Sequence, residues 1–99
     1  MKILTVQTAK EEIRRLQHFV NLVESYEANS LEKWIVKEYS YTSSIREVVS
    51  RGNQRGYESN GVELDHEFVK NIIAGAPKDE LHRLVRANYI LKIKPSKKK

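Results

Sequence analysis

Leu31–Tyr57 reads LEKWIVKEYSYTSSIREVVSRGNQRGY. Leu31, Trp34, Ile35 and Tyr39 recur at helical spacing, and Asn29 or Ser30 is placed to cap a helix over Leu31–Tyr39. The cluster Tyr39–Ser44 interrupts that pattern. Thr42 or Ser43 then caps a third helix through Ile45, Val48 and Val49, with Glu47 stabilising its first turn and Gly52 ending it. Two short helices joined by Ser40–Ser43 predict a helix–turn–helix-like corner, with Ser44–Arg51 as the recognition helix. Arg46, Arg51, Asn53, Gln54 and Arg55 follow as candidate nucleic-acid-binding residues. Arginine reads guanine, asparagine and glutamine read adenine, and hydroxyls or backbone amides hold phosphates. Gly52 and Gly56 would let the backbone of SRGNQRGY approach a phosphate closely, with Tyr57 as a stacking face, either as a single-strand contact or as a wing. From Gly52 to Gly61 the glycines and amides predict a loop. The alternative for the whole stretch is an ordinary helical corner with solvated arginines.

Upstream, Lys2–Gln7 is rich in apolar and β-branched residues and predicts a short strand. Thr8 with Glu11 has capping-box spacing, so a long helix is expected from Ala9 to about Glu27–Ala28. Its apolar residues Ile13, Leu16, Phe19, Val20, Leu22, Val23 and Tyr26 cover about half the circumference. Ile13, Leu16, Val20 and Val23 also fit a heptad seam and form a candidate interaction face. Two arrangements remain open: a central core helix wrapped by the others, or a helix that pairs with a partner or with itself. Downstream, Asp65 caps a fourth helix carrying Phe68, Val69, Ile72 and Ile73 that stops at Gly75. Pro77 is placed to open a fifth through Leu81, Leu84, Val85 and Asn88. Tyr89–Lys94 alternates apolar and basic residues, so it either pairs with Lys2–Gln7 as a short ribbon or extends the last helix.

The fold expected is mainly α, a single small domain of about five helices over residues 1–94 with a flexible Lys-rich tail at 95–99. Ninety-nine residues, 39% of them hydrophobic, supply one modest core. The net charge of +5 has a local origin. The last eight residues carry five lysines and no acid, which leaves 13 basic and 13 acidic residues in the rest. Lys97, Lys98 and Lys99 would add sequence-independent, salt-sensitive attraction to phosphates.

The absence of cysteine excludes disulfides, thiolate metal sites and a cysteine nucleophile. His18, His66 and His82 lack metal-ligand spacing, and the acids sit at helix starts, so no metal and no cofactor are expected. No signal peptide or membrane span is legible, and a cytoplasmic protein is expected. No catalytic motif emerges. The favoured reading is a non-enzymatic nucleic-acid-binding protein, DNA being preferred, in a regulatory or accessory role. The alternative is a helical adaptor or inhibitor that binds a partner, or a second copy as a homodimer, through helix 9–27. A third reading is a metal-independent RNase using His82, Arg83, Arg86 and Tyr89.

Overall fold

Serine and aspartate side chains start four of the helices in the computed structural model, which describes residues 5–93. α1 (Val6–Ser25) begins behind Thr5, and Thr5 and Thr8 cap each other, the hydroxyl of each meeting the other's backbone N–H. That reciprocal pair starts the helix three residues earlier than the Thr8–Glu11 spacing suggests. Residues 5–7 are therefore cap and first turn rather than strand, and residues 1–4 lie outside the described residues. α2 (Leu31–Thr42) is capped by Ser30 and α3 (Ile45–Gln54) by Ser44, each accepting an N–H three residues on at 3.2 Å. α4 (His66–Ala74) is capped by Asp65 and closed at Gly75, as expected.

α5 (Glu80–Ile93) starts behind Asp79, whose carboxylate accepts the His82 N–H, so Pro77 precedes the helix instead of opening it. It stays helical through Ile93. Residues 89–93, with Tyr89 buried, are helix rather than the expected strand, so among the described residues they form no ribbon with residues 5–7; Lys94 lies outside the described residues. A two-stranded ribbon does occur, between α3 and α4. β1 (Glu58–Ser59) and β2 (Val62–Glu63) pair antiparallel about Asn60-Gly61, both at positive φ. Such a pair is the preferred hairpin turn because its twist matches that of the strands.

Gly52 does not end α3. A Cβ there would lie 2.4 Å from Leu64 Cδ1 and 3.3 Å from Trp34 Cζ3, so glycine is what lets α3 approach the segment returning from the hairpin. The helix runs three residues further than expected, to its C-cap at Arg55, and closes in a Schellman arrangement. Gly56, at φ +79°, directs its N–H to Asn53 O, and the Tyr57 N–H reaches Gly52 O at 2.9 Å.

α2, α3, α4 and α5 pack on one another around Ile35, Val48, Val69, Ile73, Leu81 and Val85, all essentially without solvent contact. Full burial of each such side chain is worth about 1.5–3 kcal/mol, so these six carry much of the driving force. α1 is not the central core helix. Only Val23 of it is buried, with Phe19, Leu22 and Tyr26 half-buried against the body. From Thr5 to His18 no residue is buried. The molecule is accordingly drawn out, at 52 × 38 × 23 Å, and no described helix is long and apolar enough to cross a membrane.

Candidate functional site

The α2–α3 corner has a two-residue connection, Ser43–Ser44, with Ser43 left-handed at φ 53° and ψ 30°. This is later and tighter than the turn expected at Ser40–Ser43, and shorter than the three- to four-residue turn usual between DNA-reading helices. It leaves α3 running from Ile45 to Gln54, so Asn53 and Gln54 belong to the helix and not to a loop.

The five expected contact residues are spread along and beyond α3. Arg46 is exposed in its first turn, with no ion-pair partner among the described residues. Arg55 caps the other end, and nine residues of helix correspond to about 13 Å along the axis. Its guanidinium carbon lies 5.8 Å from the centre of the Trp34 ring, a cation–π contact. Arg51 sits between two carboxylates: Nη1 reaches Glu38 Oε1 at 3.0 Å and Nε reaches Glu47 Oε1 at 3.4 Å. The hydrogen bond to Glu38 holds this guanidinium even more firmly protonated than usual, and its charge is locally balanced. Asn53 spends both ends of its amide on one backbone unit. Its Nδ2 donates to Leu64 O at 3.1 Å, and its Oδ1 accepts the Leu64 N–H at 3.0 Å. It thus ties the hairpin's return to α3. Gln54 is exposed on the last turn of α3, and Lys97, Lys98 and Lys99 lie outside the described residues.

The hairpin projects where a wing would, directly after α3. Its cross-strand pair is Glu58 opposite Glu63, two acids that would repel a phosphate backbone. A more basic feature lies at the opposite end of α3. Ser44, Arg46, His66 and Lys92 line one open cleft of about 340 Å³, and the Lys92 ammonium donates to the Ser43 carbonyl.

The third set, on α5, is mostly committed to the fold. His82 is 6% exposed, accepts the Lys78 N–H at Nδ1 and donates from Nε2 to Ile72 O at 2.9 Å. Tyr89 is buried, and Arg86 Nε donates to Ala74 O at 3.1 Å. Of the four, only Arg83 is exposed. Among the described residues no group of three or more His, Asp or Glu side chains converges closely enough to hold a metal ion.

The remaining candidate is the α1 face. Val6, Ile13, Leu16 and Val20 are 73%, 65%, 49% and 42% exposed on one stripe. Val23, at the end of that stripe, is buried against the body. There the stripe runs into an apolar groove of about 210 Å³, lined by Phe19, Val20, Val23 and Glu24 of α1 and by Ser40 and Tyr41 of α2. No family model, curated protein or solved structure matches the chain.

Polar contacts add to the apolar seat of α1 on the body. The Tyr26 hydroxyl donates to Asp79 Oδ2 at 2.7 Å, the Lys37 ammonium to Tyr26 O at 2.7 Å, and His18 Nε2 lies 2.8 Å from Glu80 Oε2. Burial and then the neighbouring Asp79 push the Tyr26 phenol above its ordinary range. Burial alone would raise Asp79. The Tyr26 hydroxyl, the His82 N–H and nearby positive charge outweigh it and hold that carboxyl below its usual value.

Proposed function

We propose that the chain is a protein-interaction module whose docking surface is the exposed apolar face of α1. One observation carries this reading. The longest helix presents Val6, Ile13, Leu16 and Val20 to solvent on a single stripe, while the core is completed without them. A contiguous apolar surface of that kind marks a binding site more often than it marks chance exposure. Of the two uses the sequence allows for helix 9–27, its geometry supports docking.

A nucleic-acid reading keeps support from a set that only partly overlaps the one the sequence singles out, with His66 and Lys92 joining Arg46. Arg46, His66 and Lys92 share the cleft beside Ser44, and the chain continues from there into Lys94, Lys97, Lys98 and Lys99. Charge gathered at one end of α3 suits a phosphate backbone better than it suits base reading, since Asn53 is already engaged.

The two readings are separated by placing a photo-crosslinking residue at Ile13 in one protein and at Arg46 in another, then irradiating whole cells. Docking through α1 predicts protein adducts from position 13 that survive nuclease. Nuclease-sensitive adducts from position 46, with none from position 13, would overturn it.

A further inference from the structure

We infer that the surface which covers α1 is the α1 of a second copy of this chain, packed antiparallel. This rests on α1 being the docking face, and it names the partner. The first observation is the spacing along the helix. Val6, Ala9, Ile13, Leu16, Val20 and Val23 alternate strictly by three and four residues, the a/d pattern of a coiled-coil seam. The residues that seat α1 on its own body, Phe19, Leu22 and Tyr26, lie to one side of that seam. α1 therefore has two apolar stripes: one is used within the chain, and the other is used there only at its Val23 end. The second observation is that Val6–His18 is helical with no buried residue. A helical stretch of that length is marginal in water on its own and gains its stability from packing of an apolar face.

The third observation is self-complementarity. The bare half of the stripe is a ridge, and its other end opens into the groove between Val20, Val23 and Tyr41. An antiparallel pair lays each ridge along the half of the other helix that ends in the groove, as an isologous two-fold contact requires. One register suits the side chains. With Ile13 opposite Leu16, Ala9 falls opposite Val20 and Val6 opposite Val23, so every seam residue has an apolar partner. Lys10 then faces Gln17, and Glu24 comes beside the first turn of the other helix. That turn contains no acidic residue of its own, so the carboxylate meets its exposed N–H groups. Sliding one heptad toward the N-termini sets Lys10 and Glu12 each opposite itself. Sliding the other way leaves Val6 and Ala9 bare. A parallel pair would leave both grooves empty.

The experiment is sedimentation of the full chain from about one to several hundred micromolar, where mass action drives a dimer if one forms. A concentration-dependent dimer is expected. Leu16→Asp should weaken it more than about a hundredfold by placing an unpaired charge in the seam, while unfolding of the dilute protein, monitored at Trp34, stays unchanged. The chain lacks cysteine, so single thiols report the register. Mixed Ile13→Cys and Leu16→Cys proteins should give mainly the crossed disulfide. Mainly Ile13→Cys homodimers would mean a parallel pair and overturn the inference. A dimer that survives Leu16→Asp would use another face and overturn this inference, whereas the docking role of α1 falls only if position 13 gives no protein crosslinks. A monomer at every concentration would overturn self-pairing alone, because position-13 crosslinks to other proteins would still stand.

Discussion

Asn53 shows how one side-chain chemistry serves two ends. The amide that can pair with adenine pairs equally well with a peptide unit, and here it takes both the N–H and the C=O of Leu64. Sequence shows which groups are offered, not which acceptor lies within 3 Å. Asn53→Ala should leave the Leu64 peptide groups unpartnered and cost about 1–3 kcal/mol in urea unfolding followed by Trp34 fluorescence. An unchanged midpoint would show that the two bonds contribute nothing. Gly52 is a similar case, since its smallness is read from sequence as helix termination but is used for contact. Gly52→Ala sets two effects against each other. Alanine favours the helix by about 1 kcal/mol, but its methyl would press on Leu64 and Trp34, and overpacking costs about 1–3 kcal/mol. Because both neighbours are buried, net destabilisation is expected, read as a lowered thermal midpoint.

The five helices were legible because apolar periodicity and capping residues survive in any context. Their ends were less so. Thr5, Ser44 and Asp79 win the capping positions over Thr8, Ser43 and Pro77 by one to three residues, a choice made by where the chain turns. The hairpin was missed although its signal was present: Asn60-Gly61 between Ser59 and Val62 is the preferred two-residue turn, hidden in a stretch that also reads as loop. Gly61→Ala forces a side chain at φ +77° and should cost about 1–2 kcal/mol. The apolar surplus of α1 was legible as well, but whether the body would cover it was not, because that depends on where α2–α5 close. Ile13→Asp tests the outcome. With Ile13 65% exposed, the thermal midpoint of the dilute protein should hardly move, whereas Ile35→Ala in the core should cost about 2–5 kcal/mol.

At the scale of the whole molecule, the radius of gyration of 15.7 Å exceeds the roughly 13 Å expected for a compact chain of this length. The excess agrees with a helix that leaves the body at His18. The Tyr26–Asp79 hydrogen bond at the joint makes stability depend on pH at both extremes. Asp79 titrates below its ordinary value in the folded state, so its contribution is present above about pH 4 and is lost as pH falls through the folded value. Tyr26 is raised above its ordinary 10.0, so its contribution is complete below that pH and fades as pH climbs beyond it. Tyr26→Phe should flatten the acid limb and reduce the alkaline limb of a stability–pH curve. The residue of alkaline dependence belongs to Tyr39, which burial also raises.

The point where α1 leaves the body also divides the sequence into two kinds of text. Beyond Phe19 a change must satisfy the core, and most changes there alter folding. Between Val6 and His18 the fold reads almost nothing, so those residues are free to be rewritten for whatever they meet. The protein behaves as a handle fixed to a mount: exchanging Val6, Ile13 and Leu16 should give versions of the same fold with new pairing rules, with no repair needed in α2–α5.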